Sequence, residues 1–399
     1  MANNRRRKTR KSNAIIETIS NKNFIIISSI LLALIVICII VNVIIHINET
    51  REIAEEQKRI AEHVEEVYTS AEADIDAANN YKSNSIIRIS AVGDILLGNN
   101  LQKYGANENG LYADIFSDIS KYFIDSNIVL GTYEHNITEE NKVFANAIRE
   151  TGINLVTLAN NHTLDNGPEG LNETKEYLES IGIETTGIYS EESSNRVKIK
   201  EERGAKLAFL TYTYDDGSTG INIYNEEDVK ADLTYAEENA DYVVVLMHWG
   251  DVYSNSANDT QKSQAQFLVD NGADLIIGAH PSALEPMEII KNSKGQDCLV
   301  AYSLGDFTSD FSNENSNLEL ILNIQLYYNS EEDSVSLYKV DYVPIYMIDY
   351  GTKYKENRFK LLDMKNEIAN YGKEGNDLDK KTYDKLVRGI DKLNSIIQK

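Results

Sequence analysis

From residue 86 onward, apolar and polar positions alternate between two kinds of pattern. Nearly continuous apolar runs at 86–97, 127–131, 154–159, 206–214, 241–248 and 274–278 read as strands covered on both faces. Helical spacing fills 111–123, 142–151, 167–181, 226–239 and 260–271. In 167–181, for example, Leu171, Thr174, Leu178 and Ile181 fall on one face. Later runs at 298–304, 318–328 and 334–343 alternate apolar with polar, as antiparallel strands do. The last segment, 376–399, reads as a charged surface helix. Strand–helix alternation followed by alternating strands predicts an α/β core with a mixed pair of sheets.

The first 85 residues follow other rules. Segment 24–47 has no charged residue, and Ser28, Ser29, Asn42 and His46 are its polar interruptions. A helix crosses a hydrocarbon core of about 30 Å with about 20 apolar residues. A cleaved signal peptide has an apolar run of only about 7–15 residues and a small-residue cleavage site. The run here is longer and lacks such a site, so an uncleaved transmembrane signal-anchor is expected. Residues 1–23 carry a net charge of +6, which holds that end in the cytoplasm and directs the rest of the chain outward. In 48–85, Ile53, Ile60 and Val67 recur every seven residues. That spacing fits a helical stalk, either a short coiled coil or a single solvated helix. The expected organisation is a basic tail (1–23), an anchor (24–47), a stalk (48–85), a main domain (86–345) and a helical extension (346–399).

Composition narrows the function classes. The 399 residues include 39 Lys+Arg and 63 Asp+Glu, for a net charge of −24. An acidic chain lacks the basic footprint that nucleic acid requires. A content of 42% hydrophobic residues excludes a mostly disordered chain. Cys38 falls in the apolar span and Cys298 far downstream, so the two do not pair within the chain. Cys298 is read as a buried apolar residue rather than a nucleophile.

Chemistry gathers where strands end. Gly93-Asp94 closes the first strand and Glu134 follows the second. Asn160-Asn161-His162 follows the third, with Asp165 shortly after. His248-Trp249-Gly250 and Gly278-Ala279-His280-Pro281 close two later strands. Three of the 6 histidines therefore stand at strand ends, where open α/β sheets place their ligands. Carboxylate, amide and imidazole together suit Mn, Fe or Zn. Asp165 either fixes its loop or partners His162, and Trp249 is either a pocket wall or a core aromatic.

These motifs, with Leu158-Ala159-Asn160-Asn161-His162-Thr163-Leu164-Asp165 and Tyr302-Ser303-Leu304-Gly305-Asp306-Phe307, stand in the order of the CapA family. Residues 86–343 thus resemble the poly-γ-glutamate capsule synthesis proteins. The resemblance implies a metallophosphatase-like (calcineurin-like) mixed β-sandwich flanked by helices, with two metal ions at its strand ends. It implies that Asp94 binds the first metal and that Glu134 bridges. Asn161, His248 and His280 would then complete the second metal, with His162 as general acid or oxyanion donor. Three departures stand out. The family's His-Pro-His is His280-Pro281-Ser282 here, its Asn-Leu-Glu is Thr132-Tyr133-Glu134, and its Gly-Asn-Phe is Gly305-Asp306-Phe307. The second-metal set is whole and the first lacks an imidazole, so one tightly held ion is expected. Asp306 either supplies a replacement ligand or holds a turn.

The resemblance implies an extracytoplasmic, single-pass membrane protein of capsule synthesis or export, with metal-dependent hydrolase chemistry as one option. Its implied partners are the membrane, other capsule-synthesis membrane proteins and the anionic polymer. A surface metallophosphoesterase and a catalytically silent export scaffold are the competing readings.

Overall fold

In the computed structural model, the described residues are 84–399 except 190–195, 215–219, 310–315, 353, 375, 377, 398 and 399. The expected tail, anchor and stalk lie outside them, apart from residues 84 and 85. Among the described residues no helix is long and apolar enough to cross a membrane.

The elements run β1 (Ser85–Ile95), α1 (Asn99–Tyr104), β2 (Ile128–Tyr133), α2 (Lys142–Thr151), β3 (Leu155–Thr157), α3 (Gly167–Ser180) and β4 (Glu184–Thr186). Then come β5 (Lys198–Glu202), β6 (Ala205–Tyr212), α4 (Glu226–Asn239), β7 (Tyr242–His248), α5 (Asp259–Asp270), β8 (Leu275–Ala279), β9 (Met287–Lys291), β10 (Asp297–Ala301) and β11 (Asp306–Thr308). The chain closes with β12 (Leu318–Asn329), β13 (Ser334–Asp349), β14 (Phe359–Asp363), α6 (Met364–Asn370) and α7 (Lys380–Ile397).

Two sheets result. One has the order β14-β13-β12-β1-β2-β3-β4, with β11 also paired to β1, and the other β5-β6-β7-β8-β10-β9. Strand periodicity explains how they stack. Ile87, Ile89 and Ala91 of β1, Leu207 and Phe209 of β6, and Val244 and Leu246 of β7 share one core between the sheets. Alternate residues face outward. Val92 and Val129 meet Phe144 and Leu171 on the helices of the first sheet. Ala208, Leu210, Val243 and Val245 meet Leu233 and Leu268 on α4 and α5. The central strands of both sheets are therefore covered on both faces, which is why they read as continuous apolar runs. Each large side chain so buried contributes about 1.5–3 kcal/mol. The mixed α/β sandwich agrees with the expected layering.

Several expected elements are corrected. Segment 111–123 is not one α-helix but two 3-10 turns, Ala113–Phe116 and Ser120–Phe123. Bonds of the i→i+3 kind close them, from Ile115 N–H to Tyr112 O and from Tyr122 N–H to Ile119 O. The Ser117 hydroxyl also donates to Asp114 O, a carbonyl that an α-helix would use. The strand expected over 154–159 shrinks to Leu155–Thr157, because Thr157 Oγ1 accepts the Ala159 N–H at 3.0 Å and turns the chain. The boundary expected at 345 falls inside β13, and the extension contributes β14, which pairs antiparallel with β13. The terminal helix is not a surface helix throughout. Leu386, Leu393 and Ile396 recur at helical spacing and join the core between the sheets.

Candidate metal centre

Strands β1, β2 and β3 run parallel in one sheet, and β6, β7 and β8 run parallel in the other. Their carboxyl ends carry the residues singled out in the sequence. Close approach of backbones makes this possible at two glycines. A Cβ on Gly93 would sit 1.8 Å from Gly305 O, and one on Gly278 would sit 1.8 Å from Tyr302 O. Only glycine allows β1 and β8 to pass those carbonyls and deliver Asp94 and His280.

Asp94 is held by the His280 N–H, which donates to Oδ2 at 2.8 Å. His280 pays for that position with a left-handed backbone, φ 97°. His248 closes β7, and its Nε2 is the crowded point of the site. Asn161 Oδ1 lies 2.7 Å from it, His280 Nδ1 3.1 Å and Glu134 Oε1 3.4 Å. On the other ring edge, His248 Nδ1 lies 3.8 Å from Asp94 Oδ1. Asn161 is aimed by its neighbour: Asn160 donates to Tyr133 O at 2.8 Å and accepts the His162 N–H at 2.9 Å. The structure thus gathers all five expected ligands, Asp94, Glu134, Asn161, His248 and His280.

The electrostatics of this gathering call for a cation. Burial pushes Asp94 up to about 6 and drives Glu134 well above the carboxylate range, with Asp94 adding to the rise at Glu134. Burial lowers His248 well below its ordinary value and lowers His280 too, which favours the uncharged rings. His248 Nε2, with at most one proton, faces Asn161 Oδ1, His280 Nδ1 and Glu134 Oε1 together. Asp94 Oδ1, Glu134 Oε1 and His248 Nδ1 are buried without any hydrogen-bond partner. The ligand atoms of Asp94, Glu134 and His248 all lie within 4.8 Å of one another. Orphaned buried donors and acceptors of this kind are rare in native structures. This set of carboxylate, amide and imidazole donors fits a divalent cation held through one nitrogen of His248.

His162 stands apart, at the rim. Its side chain is 42% exposed, and Nδ1 lies 2.9 Å from Asp165 Oδ2. Asp165 is therefore a partner of His162, the second of its two readings. Trp249 is a core aromatic and a cavity wall together. It is buried, donates from Nε1 to Tyr302 O at 2.9 Å, and borders a cavity of about 360 Å³. That cavity opens beside His248 and His280 and is otherwise lined by hydroxyls and amides, including Thr213, Tyr214, Thr260, Gln261 and Gln264. Cys298 is a buried free thiol that burial pushes up to about 11, as an apolar residue rather than a nucleophile.

The sequence reading missed three buried groups. Glu319 lies within β12 beside the site, and its signal was a lone acid inside the run Leu318–Ile324. Glu285 accepts a 2.6 Å hydrogen bond from Gln261 behind the cavity and is raised by burial to about 7. His135 packs on the Tyr133 ring at 4.1 Å and is lowered to about 3 by burial. Nothing in the local pattern marks the last two.

Comparison with known proteins adds a lineage to this geometry. The family model described as "Bacterial capsule synthesis protein PGA_cap" matches residues 88–311. The "PGA biosynthesis protein CapA" of Bacillus subtilis (strain 168) is 28% identical over 255 residues, 57% of this chain and 64% of that protein. The "Capsule biosynthesis protein CapA" of Bacillus anthracis is 26% identical over 263 residues, 58% of this chain and 61% of that protein. The match thus spans less than two thirds of either relative. Among solved structures, a "novel phosphatase" from Mycoplasma pneumoniae is 12% identical, covering 66% of this chain and 95% of that one at a TM-score of 0.43. A 5'-nucleotidase from Candida albicans SC5314 is also 12% identical, covering 77% of this chain and 57% of that one at a TM-score of 0.39. Both structural likenesses are distant.

Proposed function

This chain belongs to the bacterial capsule synthesis protein family PGA_cap, and we propose that it acts in the synthesis or export of a poly-γ-glutamate capsule. In this reading the apolar segment 24–47 anchors it in the membrane with the domain facing outward. The domain carries a metallophosphatase-like metal centre with hydrolase chemistry. The observation that supports this most is the convergence of Glu134, Asn161 and His280 on His248 Nε2, with Asp94 on the other ring edge.

Asn161, His248, His280 and Glu134 would hold one ion tightly, with Asp94 adjoining it. A divalent cation there supplies Lewis-acid polarisation and a nucleophile at neutral pH. Every other part belongs to the chain. The His280 N–H fixes the Asp94 carboxylate, and Asn160 fixes Asn161. Asp165 holds His162 through Nδ1, leaving Nε2 to deliver a proton to a leaving group. The cavity wall bears amides and hydroxyls, and among the described residues that line it none is Lys or Arg. Such a wall favours an amide-containing polymer segment over a phosphate ester.

The test is Mn-dependent hydrolysis by the full chain of a γ-glutamyl amide and of a generic phosphodiester, compared with a His248→Ala variant. Hydrolysis of the amide that disappears in the variant is expected. Equal rates in the two proteins would remove the enzymatic reading and leave a scaffold. Elemental analysis should find one ion per chain that survives gel filtration, and two such ions would refute the single tight centre.

A further inference from the structure

Besides Asn161 of the metal centre, three amide side chains line the cavity beside His248, and two of them are engaged within the protein. Helix α5 supplies much of this wall. Thr260, Gln261 and Gln264 line the cavity, while Ala265, Leu268 and Val269 pack into the core. Gln261 Oε1 accepts the Asn258 N–H at 2.9 Å, and its Nε2 donates to Oε2 of the buried Glu285 at 2.6 Å. Asn258 accepts the Gln261 N–H and donates to Asp251 Oδ2, each at 2.9 Å. The Trp249 indole N–H goes to Tyr302 O. Gln264 differs. Its Oε1 accepts from the hydroxyl of Tyr214, just beyond β6, and its Nε2 has no acceptor among the described residues. The Tyr214 ring packs on Tyr224, with centroids 5.9 Å apart, so the phenol that orients Gln264 is itself held.

A half-buried amide that keeps both of its donors free is complementary to an acceptor on a ligand. Charge selects the acceptor. Among the described residues that line the cavity none is Lys or Arg, and two acids flank α5: Asp251 is bonded to Asn258, and Asp259 opens the helix. An anionic group taken out of water there is disfavoured, whereas a neutral carbonyl needs only a hydrogen-bond donor. We propose that Gln264, oriented by Tyr214, is the specificity residue of the cavity and donates through Nε2 to a backbone carbonyl of an amide-linked chain. This rests on the proposed amide-polymer function and adds to it the group that recognises the chain. Tyr214 is a positioning residue, because without its hydroxyl the amide is free to turn and offer its oxygen in place of its N–H groups.

Trp249 is the chain's one tryptophan and borders the cavity, so its fluorescence reports binding without turnover. The full chain, kept in chelator to prevent hydrolysis, is titrated with a γ-linked glutamate tetramer, with the methyl ester of that tetramer and with dimethyl phosphate. The ester keeps the backbone amides and removes the charge. Gln264→Leu removes the donors at similar volume and should weaken the tetramer and its ester by the same factor, about 3–10-fold, the usual range for one neutral hydrogen bond. Tyr214→Phe should weaken both by a smaller factor. Thermal melting establishes that each variant is folded. A loss confined to the acid form would assign Gln264 to the side-chain carboxylates and overturn the proposal. Unchanged affinity for both γ-linked ligands in a folded Gln264→Leu protein would overturn it too, while leaving the amide-polymer function standing. Wild-type binding of dimethyl phosphate in place of both γ-linked ligands would instead defeat that function, and this assignment with it.

Discussion

At the scale of single residues, protons and cations compete for Asp94 and Glu134. Burial raises both acids above their ordinary range in the ion-free chain, Asp94 to about 6. The folded chain therefore holds protons that the unfolded chain releases from about pH 4 upward. Their neutral forms support the fold fully at low pH, and that support is lost as pH rises through about 6. Cation binding runs the other way, because ligands must be deprotonated. Metal retained after dialysis should thus be high near pH ~8 and low near pH ~5, with the change spread around Asp94's value. The chelated chain should melt at progressively lower temperature over the same rise in pH. Retention that ignores pH would contradict a carboxylate-bearing centre. His162 makes a different prediction, because it holds no expected ligand position and sits at the rim. His162→Asn should leave the ion in place and reduce any hydrolysis by about 10²–10⁴-fold, the usual share of a general acid. Equal loss of ion and activity would make it a ligand instead. The five residues expected as ligands stood out because each lies at or a few residues beyond the carboxyl end of a strand, where pattern and chemistry coincide. Glu319 was not, because a strand interior says nothing about which acid lies next to it across a sheet.

At the scale of elements, the reading succeeded where both faces of a strand are apolar and failed where tertiary contacts decide. β7 and β8 show almost unbroken apolar runs and are buried throughout, and β6 is buried except at Lys206. β5 is polar and mostly half-buried, and β9 breaks its three apolar residues with Glu288, so no long run announces either. The 3-10 turns between α1 and β2 carry helical spacing at Ile115, Ile119 and Phe123, yet side-chain capture of Asp114 O breaks the α pattern. The terminal helix α7 is the clearest case. Its charges suggest solvent, while Leu386, Leu393 and Ile396 form the stripe that docks it. Leu393→Ala should therefore behave as a core substitution and destabilise the fold by about 2–5 kcal/mol. Arg388→Ala, at an exposed position of the same helix, should change stability little. Chemical denaturation of the two variants measures the difference, and equal midpoints would mean that α7 contributes no core.

At the scale of the whole molecule, charge and layering constrain what the domain can hold. Residues 86–399 carry a net charge of −24, as does the full chain, because the basic tail and the acidic 48–85 segment cancel. Poly-γ-glutamate is itself a polyanion, so the domain should repel it over a Debye length, about 30 Å at 0.01 M salt and about 8 Å at 0.15 M. If the chain has the proposed capsule role, capture of the polymer would be local, at the strand ends where a cation could offset the acids. Two consequences follow from that geometry. Polymer binding by the metal-loaded chain should strengthen as salt rises from about 0.01 M to about 0.15 M, because long-range repulsion is screened before a short-range contact is. It should also weaken when chelator removes the ion, at either salt concentration. Sedimentation or fluorescence binding with defined γ-glutamate oligomers would measure both. Binding that is tightest at low salt and indifferent to chelator would instead require a basic docking surface, and would move the point of contact away from the strand ends.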